Sequence, residues 1–169
     1  IEQFISWEQK TPDAVFLRQP FNGQWRTWTY AQAANEIRRV ATGLLKCNLP
    51  PGSKVAVLSK NCAHWIMADL AIMACGYVSV PIYATLTAPA VRQIIEHTES
   101  KAVFIGKLDH YDARSEAIPN GVIKVGISAY HVSAENTWEQ WLKAEPHAGF
   151  YKWKPDEILT IIYTSGTTG

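Results

Sequence analysis

Thr164-Ser165-Gly166-Thr167-Thr168-Gly169 puts four hydroxyls and two glycines into six consecutive positions. Glycine lets the backbone take positive φ and come close to a ligand. Successive N–H groups in such a turn form a concavity that accepts an anion. The hydroxyls add neutral donors, which suits a pyrophosphate that must be held and then released. An apolar run, Ile158 to Tyr163, feeds directly into the loop and is expected to be a buried strand. Open α/β sheets bind ligands at the carboxyl ends of such strands. Phosphate binding is therefore the chemistry expected of Thr164, Ser165, Gly166, Thr167, Thr168 and Gly169. Neither GxxxxGK[ST] nor GxGxxG occurs, which removes Walker-type and dinucleotide-binding loops. The bland alternative is a Ser/Thr/Gly tail without a site.

Other residue types offer less. The histidines at 64, 97, 110, 131 and 147 show no HxH or HExxH spacing, so surface or loop positions are expected rather than metal ligation. Ser165 lacks the Gly-x-Ser-x-Gly elbow of a hydrolase nucleophile. Cys47, Cys62 and Cys75 form no CxxC pair and are read as reduced, mostly buried thiols of a cytosolic protein. Of the seven tryptophans, Trp65, Trp138 and Trp141 sit beside helical stripes, where packing is the expected role.

A loop of this kind needs a scaffold, and the chain alternates short apolar runs with amphipathic ones. A short helix over Phe4 to Lys10 precedes strands Val15 to Arg18 and Trp25 to Trp28 around the turn Asn22-Gly23. Thr29-Tyr30-Ala31-Gln32 has capping-box spacing ahead of the stripe Ile37, Val40, Ala41, Leu44, Leu45. Val55 to Leu58 reads as a strand. Ser59 or Asn61 is expected to cap the next helix, with Ala63, Ile66, Met67, Leu70, Ala71 and Ala74 inward. Strand Val78 to Tyr83 is followed by a helix opened by Thr87 and Pro89, then by strand Ala102 to Ile105. A helix over His110 to Ala117, a strand over Val122 to Ile127 and a second capping box at Thr137-Trp138-Glu139-Gln140 complete the order. The fold class is α/β, a mostly parallel sheet flanked by helices.

Composition agrees with a packed body: 47% hydrophobic and 18% charged over 169 residues, with net charge +1. No basic run suggests nucleic acid or an anionic membrane surface. Leu70 to Val91 carries no charge, yet Gly76, Pro81 and Pro89 break it, so it reads as helix then strand and not as a membrane span.

Tyr163-Thr164-Ser165-Gly166-Thr167-Thr168-Gly169, preceded by Asp156-Glu157-Ile158-Leu159-Thr160-Ile161-Ile162, closely resembles the signature of the AMP-binding, adenylate-forming superfamily. Trp28-Thr29-Tyr30 is similar to its early Thr-Tyr element. Pro51-Gly52-Ser53-Lys54-Val55 resembles its Gly-Asp-Arg-Val stretch, with Ser53-Lys54 in place of the acidic-basic pair. Asn61 to Met73 and Gly76 to Tyr83 resemble its next block, and Ser100 to Ile105 looks most like long-chain fatty acyl-CoA synthetases.

The resemblance implies the N-terminal portion of that enzyme fold. Residues 1–29 would form a helix and hairpin, 30–163 the α/β body and 164–169 a phosphate loop cut short, with both chain ends read as cut. It implies an ATP-dependent ligase that joins a long-chain fatty acid to AMP and then to coenzyme A, with Mg²⁺ as cofactor and a metal contact at Thr164. No catalytic set is complete within these residues, so the chain alone is expected to be inactive, to hold no bound cofactor and to self-associate through exposed apolar surface. A cytoplasmic location is expected, with peripheral membrane attachment of the whole enzyme left open. The alternatives are a ligase for a medium-chain, aromatic or amino-acid substrate, and a non-catalytic α/β interaction module.

Overall fold

The computed structural model describes residues 1–109 and 116–164. Helix α1 (Glu2–Lys10) stops at Thr11, where Pro12 disfavours further helix. Strands β1 (Val15–Phe21) and β2 (Gln24–Thr29) pair antiparallel. Between them Asn22 and Gly23 take φ of 47° and 79°, the geometry of a type I′ turn. Thr29 Oγ1 then accepts the Gln32 N–H at 3.2 Å, and Gln32 Oε1 accepts the Thr29 N–H at 2.9 Å. This reciprocal cap opens helix α2 (Tyr30–Leu45), which buries Ile37, Val40, Ala41 and Leu44. Arg38 ties α1 to α2 by a fork on Glu8, at 2.6 and 2.7 Å.

The body follows as β3 (Lys54–Leu58), α3 (Ala63–Ala74), β4 (Val78–Ile82), α4 (Ala88–His97), β5 (Ala102–Ile105), β6 (Ile123–Gly126), β7 (Asn136–Thr137) and one turn of α5 (Trp138–Trp141). The strands form one parallel sheet in the order β4-β3-β5-β6-β7. The chain steps outward from β3 to β4, then back across β3 to β5. Right-handed crossovers must then place α3 and α4 on opposite faces. Alternation along β3 agrees: Val55 and Val57 pack with Ile37, Leu44 and Met67, while Ala56 and Leu58 pack with Val91, Ile94 and Ile95. The expected helix-then-strand division of Leu70 to Val91 is present. No helix among the described residues is long and apolar enough to cross a membrane.

Several local expectations need correction. Neither Ser59 nor Asn61 caps α3. Cys62 holds the cap position without a side-chain bond, and Gln19 Oε1 of β1 accepts the Ala63 N–H at 3.2 Å. The inward face of α3 is also turned from the expected stripe: Ile66 is exposed and Leu70 half-buried, while His64, Ala68 and Ile72 are buried. This helix is apolar nearly all round and meets both sheet and hairpin, so its periodicity carries little direction. His64, expected near the surface, is instead enclosed by Phe21, Trp28, Tyr130 and Trp138. Burial first, and then the nearby Arg26 charge, lower its pKa to about 4. The β6 strand is shorter than expected. Of the expected helix over 110–117, residues 110–115 lie outside the described residues, and Glu116 and Ala117 lie in a turn. Trp28 and Trp138 pack in the core, whereas Trp7 and Trp25 are exposed. All three cysteines are free.

Candidate functional site

The approach to the loop is fixed by aromatic and backbone bonds. Trp153 Nε1–H donates to the Met73 carbonyl at 2.9 Å. Glu157 accepts the Lys154 N–H at 2.7 Å and the Tyr151 hydroxyl at 2.9 Å, which closes the turn before Ile158. Beyond it the chain runs parallel beside β4: Ser79 N–H donates to Leu159 O at 3.0 Å, and Ile161 N–H donates to Ser79 O at 2.9 Å. Ile161 and Tyr163 turn to the α4 side of the sheet. There the Tyr163 hydroxyl meets His97 Nδ1 at the last turn of α4.

This segment is not the buried strand expected over 158–163. It makes one bridge, Ser79 to Thr160, and leaves Ile158 and Ile162 exposed at 63% and 60%. β4 supplies one backbone edge, and no element among the described residues covers the other side. Thr164, the root of the expected phosphate loop, is described and exposed. Ser165, Gly166, Thr167, Thr168 and Gly169 lie outside the described residues.

Next to this root, at the carboxyl ends of β3 and β4, is a crevice of about 560 Å³. Ser59, Lys60, Trp65, Tyr83, Thr85 and Ile162 are among its walls. That is within the size range of small-molecule sites. Sequence reasoning did not assign Ser59, Lys60 or Trp65 to it, because only the parallel pairing of β3 with β4 brings them beside Tyr83 and Thr85.

A sheet in this order has its topological switch between β3 and β5, where a ligand is ordinarily expected. Here the chain fills that position itself. Lys60 N–H donates to Lys107 O at 2.8 Å, and Lys107 N–H donates to Ser59 Oγ at 2.9 Å. Ser59 in turn donates to the Lys60 carbonyl at 2.7 Å. Gly106 permits the close approach, since a Cβ there would fall 2.5 Å from Ser59 Oγ. Lys60 Nζ lies 2.6 Å from Asp109 Oδ1. The open crevice lies instead on the β4 side, where Ile162 is part of its wall.

Among the described residues no group of three or more His, Cys, Asp or Glu side chains could hold a metal ion. The donor offered at the root is the Thr164 hydroxyl. One neutral oxygen fits a hard cation that takes its remaining ligands from phosphate oxygens.

Comparison with known proteins matches nearly the whole length of the chain. A model of the AMP-binding enzyme family matches residues 4–169. The long-chain-fatty-acid–CoA ligase FadD15 of Mycobacterium bovis is 31% identical over 170 residues, covering 96% of this chain and 28% of that protein. The peroxisomal long chain acyl-CoA synthetase 6 of Arabidopsis thaliana is 30% identical, over 87% of this chain and 23% of its own length. Among solved structures, acetoacetyl-CoA synthetase from Streptomyces lividans superposes with a TM-score of 0.87 at 21% identity, over 99% of this chain and 28% of that one. Coronafacic acid ligase from Pectobacterium brasiliense gives 0.81 at 22%, over 96% of this chain and 33% of that one. The chain thus spans about a quarter of the length of the relatives it matches.

Proposed function

The chain belongs to the AMP-binding enzyme family, and on that premise we propose that Thr164, Ser165, Gly166, Thr167, Thr168 and Gly169 hold the β- and γ-phosphates of ATP in an AMP-forming acyl-CoA ligase. The substrate carboxylate attacks the α-phosphorus, the bond to pyrophosphate breaks, and an acyl adenylate forms. The thiol of coenzyme A then displaces AMP. No enzyme nucleophile is needed. The loop's hydroxyls and N–H groups stabilise charge on the departing phosphates. Mg²⁺, carried on the phosphates with Thr164 as its contact in this chain, would supply further charge neutralisation. The acyl group is a long-chain fatty acid, a reading supported by the names of the relatives at about 30% identity.

One observation carries the reading: the segment that runs parallel to β4 puts Ile162 into the wall of an open crevice at the carboxyl edge of the sheet, and two residues on Thr164 stands exposed. The loop residues are all uncharged, so most of the phosphate charge must be met by groups outside the loop, and the 169 residues alone are expected to be inactive. Exchange of labelled pyrophosphate into ATP tests both statements. A polypeptide of the relatives' length should show fatty-acid-dependent exchange that strengthens as the acyl chain lengthens, since each buried methylene contributes roughly 0.8 kcal/mol. Thr164→Val should reduce it, and the present chain should show none. Exchange that ignores chain length removes the long-chain reading, and exchange untouched by Thr164→Val removes the role of the loop.

A further inference from the structure

At the amino edge of the sheet, opposite the crevice, lies a larger cavity of about 880 Å³. It opens between Lys54 at the start of β3, the turn from Cys75 to Val78, and the returning segment from Tyr151 to Ile158. Its aromatic wall is locked in place. Tyr151 N–H donates to Ala74 O at 2.9 Å, Trp153 Nε1–H donates to Met73 O at 2.9 Å, and the two rings meet edge to face at 5.1 Å. Gly76 has φ of 73°, and a Cβ there would fall 2.6 Å from the Tyr151 ring. Only glycine lets that ring lie against the turn.

The polar groups of the cavity are unequal. Tyr77 already donates its hydroxyl to Leu49 O at 3.2 Å, and Glu157 is engaged by the Lys154 N–H and the Tyr151 hydroxyl. Burial raises the Cys75 thiol to about 12, so it stays neutral. Lys54 makes no ion pair among the described residues. The cavity therefore combines a fixed apolar and aromatic wall, including Leu45 and Leu49, with one uncommitted cation. Such a site is sized and preorganised for a small molecule.

We propose that this amino-edge cavity binds a monocarboxylate with an apolar body, the carboxylate at Lys54 and the body against Tyr151 and Trp153. The site lies at the opposite edge of the sheet from the crevice that Ile162 lines, and it stands or falls independently of the ligase reading. Alkyl and aryl carboxylates share the required chemistry, so octanoate and 2-naphthoate are the probes, with octanol and 2-naphthol as their uncharged counterparts.

The whole chain, labelled with ¹⁵N, is titrated while the indole N–H of Trp153 is followed by NMR. At least one acid should give a saturable shift, with its alcohol binding about tenfold more weakly. Lys54→Gln should weaken the acid about tenfold and leave the alcohol unchanged. Ile158→Asn, at an exposed wall position, should weaken both. Spectral dispersion like that of the parent shows that each variant folds. Absence of saturable binding by both acids, equal affinity for acid and alcohol, or indifference to Lys54→Gln would each overturn the proposal.

Discussion

The Ser59 hydroxyl accepts the backbone N–H of Lys107 at 2.9 Å and so joins the ends of β3 and β5. Ser59 is buried, and its own proton goes to the Lys60 carbonyl. Removing the hydroxyl takes a partner from the Lys107 N–H and from the Lys60 carbonyl at this part-buried edge. Ser59→Ala should therefore cost about 1–3 kcal/mol of stability, read from urea midpoints at constant slope. A loss below about 0.5 kcal/mol would mean that the stitch is not a structural element of this edge.

Glu36 links parts of the chain that are far apart in sequence. Its carboxylate accepts Trp28 Nε1–H at 2.8 Å, Trp138 Nε1–H at 3.1 Å and an Arg26 N–H at 3.1 Å. Both indoles lie in the core. Glu36→Ala strands two buried donors, and a loss of about 2–4 kcal/mol is expected. Glu36→Gln keeps an acceptor and should lose less. Equal losses for the two variants would show that the carboxylate's acceptors are not what matters.

The contrast between these positions shows what can be read from the sequence. Both capping boxes, at Thr29 and Thr137, are visible because partner and cap lie three residues apart. The Asn22-Gly23 turn and the strand–helix alternation are legible for the same local reason. The Gln19 cap on α3 and the Ser59 stitch are not, since their partners lie 44 and 48 residues away. The apolar run 158–163 reads as a buried strand and is not one, because apolarity records what a residue can bury, not whether a neighbour is there to cover it.

His64 makes stability depend on pH. Its folded pKa, about 4, lies below the ordinary 6.5 because burial disfavours the cation. The unfolded chain therefore binds the proton first. The contribution is complete above pH 6.5 and is lost as pH falls towards 4, to a total of about 3 kcal/mol. Glu139, pushed up by burial but held low overall by its own backbone N–H and by Ser128 and Ala129, adds to the acid loss. Asp69, raised by burial, opposes it. His64→Phe leaves both carboxylates in place, so the difference between the two proteins isolates the histidine. Urea midpoints from pH 7 to 4 should fall more steeply in the parent. Parallel curves would remove His64 as the source.

Tyr163 and His97 tie the root of the loop to the end of α4. Tyr163→Phe keeps the ring in the apolar cluster and removes only the hydroxyl. Global stability should change by about 1 kcal/mol or less, as for an ordinary exposed hydrogen bond. Amide exchange at Ile161, whose N–H is bonded to Ser79 O, should nevertheless quicken severalfold, since local opening responds to local anchors. Unchanged exchange would show that the Ser79 pairing alone positions the root.

Ile158 and Ile162 lie exposed along a segment whose backbone bridge, among the described residues, is to β4. Ile66 and Tyr83 expose further apolar area. An uncovered backbone edge lined with apolar side chains is the usual template for chain-to-chain pairing. The 169-residue chain is therefore expected to self-associate, with a mass by light scattering that rises with concentration. Ile158→Lys and Ile162→Lys together should abolish that rise, because like charges along one edge repel and resist burial. Both side chains already face solvent, so the substitutions should leave the fold and its urea midpoint nearly unchanged. A parent chain that stays monomeric at millimolar concentration would show that exposed area alone does not drive association. If the double variant associates as the parent does, the contact lies elsewhere, and the exposed Trp25 on β2 is the next surface to test.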